Sequence, residues 1–156
     1  MTKIRFCINI IIVFLFALAT AFFSGNVVLL YADIASLILA IIVPFIIVSM
    51  IFPLSTQRLF LKTVFNKDGS ADQGLLKQAV EYCKSYKRIL IYSAVIWSIM
   101  GAIGIGANLA EPEALGMNFG VLMIVPLYTS FFLLVVVEPL RASAVNKILQ
   151  KQPTFL

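Results

Sequence analysis

The sequence predicts an all-α integral membrane protein with four transmembrane helices. Hydrophobic residues make up 62% of the 156 residues, charged residues make up only 12%, and the mean hydropathy is +1.04. A soluble domain of this size could not bury so much apolar side chain. Because a helix needs roughly 20 apolar residues to cross a ~30 Å hydrocarbon core, we expect a single membrane domain over 1–156. Its predicted spans are 6–23, 27–52, 89–109 and 119–137, and all of them lack lysine and arginine.

The basic residues predict the orientation of these spans. Two of the twelve lie at 3–5, seven lie within 58–88 and three lie within 141–151. The alternate loops, 24–26 and 110–118, have none, and the second of them carries Glu111 and Glu113. Since lysine and arginine are enriched in cytoplasmic loops, both termini and the middle loop are expected in the cytoplasm. The same asymmetry explains the basic pI as attraction to anionic lipid headgroups, without nucleic acid as a partner.

The first stretch has two interpretations. A basic start, an apolar middle and the small residues of "ALATA" at 17–21 are also typical of a secretory signal peptide. The apolar part is longer than the ~7–15 residues usual for such a signal, which favours a retained helix.

The middle loop predicts a short cytoplasmic helical hairpin over 53–88. "PLSTQRLFLKTVF" is expected to continue the second helix past Pro53, and "NKDG" at 66–69 predicts a turn. Ser70 and Gln73 have the spacing of a capping box, which predicts the start of the next helix. No helix breaker follows, so one helix is expected from about residue 71 to 109.

Asp33 interrupts an apolar run, "LLYADIASLIL" at 29–39. If the buried helix begins just after it, 34–52 still suffices to cross the membrane. The carboxylate would then cap the helix N-terminus and lie at the favourable end of the helix dipole. It would also attract cations at the outer surface, and the two roles are compatible.

Small residues recur every four positions in the third span, at Ala94, Ser98, Ala102 and Gly106. In lipid this spacing lets helix backbones approach closely. The pattern fits packing within this chain and packing between subunits equally well.

The residue types argue against an enzyme. The chain has no histidine, its two cysteines do not have metal-site spacing, and it has no phosphate-binding or nucleophile motif. We therefore expect no catalytic residue, metal or cofactor. Asp33 and Glu138 stand at opposite ends of the predicted spans, whereas proton relays and coupled transporters generally need a buried acid or base. An ion-driven role would require a partner that supplies the titrating group.

Three segments resemble the MotA/TolQ/ExbB proton-channel family, and MotA most closely. "YADIASLIL" at 31–39 is similar to the opening of the second MotA helix, and "FPLS" at 52–55 is similar to its exit. The segment 107–142 aligns without gaps on the third-to-fourth helix region, and four spans favour MotA over the three-span relatives. The matching residues in this segment are Pro112, Ala114, Leu115, Gly116, Tyr128, Pro139 and Leu140.

The resemblance implies a pentameric ring in the bacterial inner membrane, with both termini cytoplasmic. Such a ring surrounds two copies of a single-span partner of the MotB/TolR/ExbD type, which carries the ion-binding aspartate. Flow of H⁺ or Na⁺ then drives one part to rotate against the other, as in a flagellar stator or an energy-transducing complex.

The resemblance also assigns roles to residues. The candidates for the ion path are Asp33, Ser98, Pro126, Tyr128 and Thr129; for a helix bend that transmits movement, Glu138 and Pro139; and for oligomer packing, Ala94, Ala102 and Gly106. The paired hydroxyls of the family's fourth helix fall on Val125 and Pro126, which have none.

This departure supports an alternative, a non-conducting structural ring or assembly factor. A stand-alone channel or transporter is disfavoured because no acid lies at mid-membrane. The individual sites also have plain structural interpretations. Ser98 could bond a carbonyl one turn back, Tyr128 could be a core aromatic, the prolines could only kink the last helix, and Glu138 could remain solvated beside Arg141.

Overall fold

The protein is almost entirely helical. The computed structural model describes residues 3–23, 33–65, 72–110 and 112–150. Two short π-helical turns, π1 and π2, lie within otherwise α-helical segments. In chain order the elements are α1 (Lys3–Phe23), α2 (Ile34–Leu37), π1 (Ile38–Ile42), α3 (Val43–Ile51), α4 (Leu54–Phe65), α5 (Gln73–Ala107), α6 (Pro112–Phe132), π2 (Leu133–Val137) and α7 (Glu138–Gln150).

Among the described residues, three helices are long and apolar enough to cross a membrane. They cover Ile34–Ile51, Gln73–Ala107 and Leu115–Gln150, and a shorter apolar stretch, Phe6–Leu15, lies within α1. Only 22% of the most hydrophobic window of each of the three helices is buried inside the chain. Most of the apolar surface therefore faces outward, which is the pattern of a membrane-spanning protein.

Two buried clusters hold the helices together. The larger one lies at the end of the molecule that contains α4, here called the α4 end, and joins α3, α4, α5, π2 and α7 around Leu76 and Leu90. Aromatic rings continue it, with Tyr82 between Phe52 and Tyr86 at centroid distances of 5.3 and 6.0 Å. The smaller cluster is Ala40, Ala94 and Val125, where π1, α5 and α6 meet. The most extensive packing is between α5 and α6.

Each π-turn is followed by one residue and then by a proline. π1 precedes Val43 and Pro44, and π2 precedes Glu138 and Pro139. In each turn the residue before proline donates its N–H to a carbonyl five positions back, at Ile38 or Leu133. Proline has no N–H and its ring clashes with the carbonyl four residues earlier. The wider π-turn accommodates both defects, so the helix continues through each proline.

The second span does not continue through Pro53, contrary to the sequence-based expectation. α3 ends at Ile51, Phe52 is extended, and α4 begins at Leu54. The residue before a proline is disfavoured in the α conformation, which explains the break at Phe52.

The cap of α5 also differs from the expectation. Helix α5 begins at Gln73 rather than near residue 71, and Asp72 is its N-cap, with its carboxylate accepting from Gly74 N at 3.1 Å. Ser70, the predicted capping residue, lies outside the described residues. The predicted long helix is otherwise present and ends at Ala107, where the Asn108 side chain donates to the Gly104 carbonyl at 2.9 Å.

Candidate functional site

Asp33 is the N-cap of the second span, as the sequence predicts. Its carboxylate accepts from Ala35 N at 3.1 Å and from Ser36 N at 3.3 Å. The Ser36 hydroxyl, on a fully buried residue, also donates to it. Three donors therefore satisfy the carboxylate, and its negative charge lies at the positive end of the helix.

Tyr128 joins Asp33 to the fourth span. The Asp33 backbone N–H donates to the Tyr128 hydroxyl at 3.2 Å. Tyr128 lies nine residues after Phe119, or ~13.5 Å along the helix, and a tyrosine side chain extends about one helical turn, ~5.4 Å. Asp33 consequently lies alongside the apolar stretch 119–137 and not level with Phe119. We call Asp33, Ser36 and Tyr128 the Asp33 cluster.

The Ser98 hydroxyl bonds a carbonyl of another helix and not one of its own helix. It donates to the Leu122 carbonyl of α6 at 3.3 Å, instead of to a carbonyl one turn back in α5. Leu122 is four residues before Pro126, so proline removes the N–H that this carbonyl would otherwise accept. Ser98 thus compensates for the helix defect at Pro126, and the two candidate residues belong to one interaction.

The small residues of α5 divide between two faces. Ala94 is buried in the smaller cluster, and Gly101 lies against the α6 backbone, where an added Cβ would be 2.8 Å from Leu122 N. Ala102 and Gly106 are exposed, and an added Cβ at Gly106 would meet nothing within 4 Å. Packing within the chain therefore explains why small residues stand at positions 94 and 101. It does not explain the small residues Ala102 and Gly106, which are exposed.

Thr129 is a buried hydroxyl. Its residue is 3% exposed, and its Oγ1 has no hydrogen-bond partner among the described residues. It lies one turn after the fully buried Val125, on the same face of α6. Buried hydroxyls are usually paired, so Thr129 Oγ1 is an unsatisfied buried polar atom of the described residues.

Glu138 links two helices. It accepts from Lys87 Nζ of α5 at 2.5 Å and pairs with Arg141 Nη1 of its own helix at 3.4 Å. The sequence places Glu138 beside Arg141, but it does not predict the shorter contact with Lys87. We call Lys87, Glu138 and Arg141 the charge cluster; it lies where π2 ends and α7 begins.

Sequence reasoning missed a buried polar network at the helix break. Gln57 is 4% exposed, donates to Ser49 Oγ at 3.1 Å and to the Phe52 carbonyl at 2.7 Å, and accepts from the Tyr82 hydroxyl at 3.1 Å. The sequence does contain a sign that Gln57 is buried. Gln57 is three residues before the aromatic Phe60, so the two side chains lie on the same face of the helix, and Phe60 is buried.

Nothing in the described part of the chain could hold a metal ion, since no three histidine, cysteine, aspartate or glutamate side chains are grouped there. Comparison of the chain with protein-family models, with curated proteins and with solved structures gives no match.

Proposed function

We propose that this protein is a ring subunit of an ion-motive-force-driven membrane complex of the MotA/TolQ/ExbB type. In this proposal four spans per chain, the first of them α1, assemble as a pentamer in a bacterial inner membrane. The ring surrounds a single-span partner of the MotB/TolR/ExbD type, whose aspartate carries H⁺ or Na⁺. No enzymatic step is involved.

The outward face of α5 carries the proposal. Ala102 and Gly106 are exposed, and Gly106 has open space beside it. Other exposed side chains on this part of the helix, such as Ile99 and Ile103, are apolar. Small residues four apart on a lipid-exposed helix favour close contact with another helix. A neighbouring subunit or the partner helix would supply that contact.

The distribution of acids supports a partner that brings its own carboxylate. The sequence has no aspartate or glutamate in 82–110 or in 114–137. Ion-coupled membrane proteins need an ionisable group within the spans. Asp33, the acid that lies alongside α6, is already held by three donors as a helix cap. In the proposed complex Asp33 attracts cations toward the path, and the partner's aspartate carries them across.

Two candidate residues of the ion path, Ser98 and Thr129, differ in whether their hydroxyl is already hydrogen-bonded. The hydroxyl of Ser98 is already bonded to Leu122, whereas the Thr129 hydroxyl is unpaired within the described structure. We therefore propose that Thr129 binds the ion itself, because its side chain is buried inside the chain and does not face the partner. Tyr128 and Pro126 shape the same part of α6. Glu138 and Pro139 would carry the resulting movement toward the α4 end.

Stoichiometry and conduction test the proposal together. The chain is co-expressed with candidate single-span, aspartate-bearing partners, extracted in mild detergent and weighed by native mass spectrometry. We expect five copies per particle, and a proton or sodium leak in vesicles only when the partner is present. The leak should disappear when the partner's aspartate is replaced. A monomer or dimer that conducts nothing with any partner would contradict the proposal.

Thr129 offers a residue-level test with a neighbouring control. Thr129→Val removes the hydroxyl and keeps the shape, so we expect the partner-dependent leak to fall at least about tenfold if the hydroxyl contacts the ion. Ser130→Ala removes an exposed hydroxyl on the next residue and should leave the leak unchanged. Equal leaks in the parent and in Thr129→Val would remove Thr129 from the path.

A non-conducting structural ring is the second candidate. It is favoured by the engagement of Ser98 with Leu122 and by Val125, which is fully buried and has no hydroxyl to offer an ion. A stable pentamer without any leak, with every partner tested, would support this alternative. A leak produced by the chain alone would instead indicate a channel.

A further inference from the structure

We propose that the charge cluster of Lys87, Glu138 and Arg141 is a releasable latch that holds α7 against α5. When the latch opens, α7 separates from α5 while the rest of the fold persists. The inference concerns only this chain and does not depend on the proposed ring.

The position of the cluster suits a latch. Lys87 and Glu138 are 51 residues apart in the sequence, and their bond is the ion pair that ties α5 to α7 among the described residues. The Lys87 and Glu138 side chains are 41% and 35% exposed, so water and ions reach the pair. An ion pair that solvent can reach opens more readily than one sealed in a core.

The backbone beside the cluster is a weak point of the helix. Glu138 directly follows π2 and donates its N–H to the Leu133 carbonyl, five residues back. Pro139 comes next and has no N–H to donate. Helices bend most readily where the regular bonding ladder is interrupted. A hinge thus lies directly next to the side chain that fastens α7.

The packing of α7 is also incompletely satisfied. Arg141 Nε and Ser143 Oγ are buried polar atoms with no hydrogen-bond partner in the described part of the structure. Both belong to the first two turns of α7, within five residues of Pro139. Such atoms raise the free energy of the closed arrangement. A movement of α7 that let water or another group reach them would offset part of the cost of opening.

Cys83 provides a reporter of this movement. It is 5% exposed and belongs to the same buried cluster as Leu140 and Ala144 of α7. Separation of α7 from α5 would therefore expose Cys83 to a water-soluble maleimide. The other cysteine, Cys7, is exposed. It is replaced by serine in every protein that is compared, including the parent.

The experiment measures the rate of Cys83 modification in detergent. We expect Glu138→Gln to raise this rate about fivefold or more, because loss of the pair increases local opening. Glu81→Gln, which removes the exposed Glu81–Lys84 pair on α5, is the matched control and should leave the rate within about twofold of the parent, since such surface pairs contribute little. The charge-swapped double variant, with Lys87→Glu and Glu138→Lys, should restore part of the slow rate, because the new lysine would lie beside Arg141.

High salt separates latch opening from general unfolding. Screening by sodium chloride should accelerate Cys83 modification in the parent and leave the rate of Glu138→Gln unchanged. The parent's salt response decides the matter even if Glu138→Gln fails to fold. A parent rate that does not respond to salt, or an equal acceleration by Glu81→Gln, would overturn the latch.

Discussion

Replacing Gly101 by alanine should push α5 and α6 apart. A Cβ at this position would lie 2.8 Å from Leu122 N and 2.9 Å from the Asn118 carbonyl oxygen, and both atoms belong to the backbone of α6. Ordinary contact with such a carbon needs about 3.4 Å, so the helices must separate by roughly half an ångström. Backbone atoms in a regular helix cannot move individually, and the whole helix pair must adjust.

The expected cost follows from two opposing terms. Overpacking of a tight contact costs about 1–3 kcal/mol, and exchange of glycine for alanine within a helix returns about 1 kcal/mol. The net change is a loss of about 0–2 kcal/mol in the free energy of unfolding. For a chain of 156 residues, a loss at the upper end of this range lowers the thermal midpoint by roughly 4–8 °C.

Trp97 makes the measurement local. It is the single tryptophan of the chain, lies one turn before Gly101 and packs against the cluster of Ala40, Ala94 and Val125. Thermal unfolding followed by Trp97 fluorescence and by circular dichroism should show the same lowered midpoint for Gly101→Ala.

Gly116→Ala is the control. It makes the same chemical change on α6, where an added Cβ meets nothing within 4 Å. Its midpoint should equal or exceed that of the parent. If Gly101→Ala were as stable as Gly116→Ala, the close α5–α6 contact would be wrong.

Two further substitutions test the buried polar bonds. Ser98→Ala leaves the Leu122 carbonyl without a donor and should cost about 1 kcal/mol of unfolding free energy in detergent titration; in a Pro126→Ala background, where residue 126 has an N–H, the same change should be nearly neutral. Gln57→Leu strands the Tyr82 hydroxyl in the core and should cost about 2–3 kcal/mol, seen as a lower thermal midpoint by circular dichroism.

Each has a distinguishing outcome. An equal cost of Ser98→Ala in the proline and alanine backgrounds would mean that Ser98 does not compensate for the proline. For Gln57, the matched change is Gln78→Leu, at an exposed position of α5, which should leave the midpoint within about 1 °C of the parent, as surface substitutions usually do. A similar shift in both variants would indicate that the buried network at the helix break contributes nothing of its own.

The sequence alone specified the elements whose causes are local. Apolar runs of sufficient length predicted three helices that are long enough to span a membrane. The carboxylate of Asp33 followed by apolar residues predicted the start of the second helix, and the uninterrupted pattern after residue 71 predicted the long α5. The errors arose where two local signals compete. At Pro53 the helical pattern on both sides competes with the proline, and the proline prevails. At the start of α5 the capping signal of Ser70 competes with that of Asp72, which lies next to the first helical residue and is the N-cap.

The partners of the polar side chains depended on the tertiary structure. Nothing near Ser98 in the sequence indicates Leu122, and nothing near Glu138 indicates Lys87, because each pair joins positions 24 and 51 residues apart. Sequence pattern predicts which face a residue occupies, since the helical repeat is a local property. The register between two packed helices depends on how all their side chains fit together. That register made Ser98 the donor for the carbonyl freed by Pro126 and made Glu138 a link between α5 and α7.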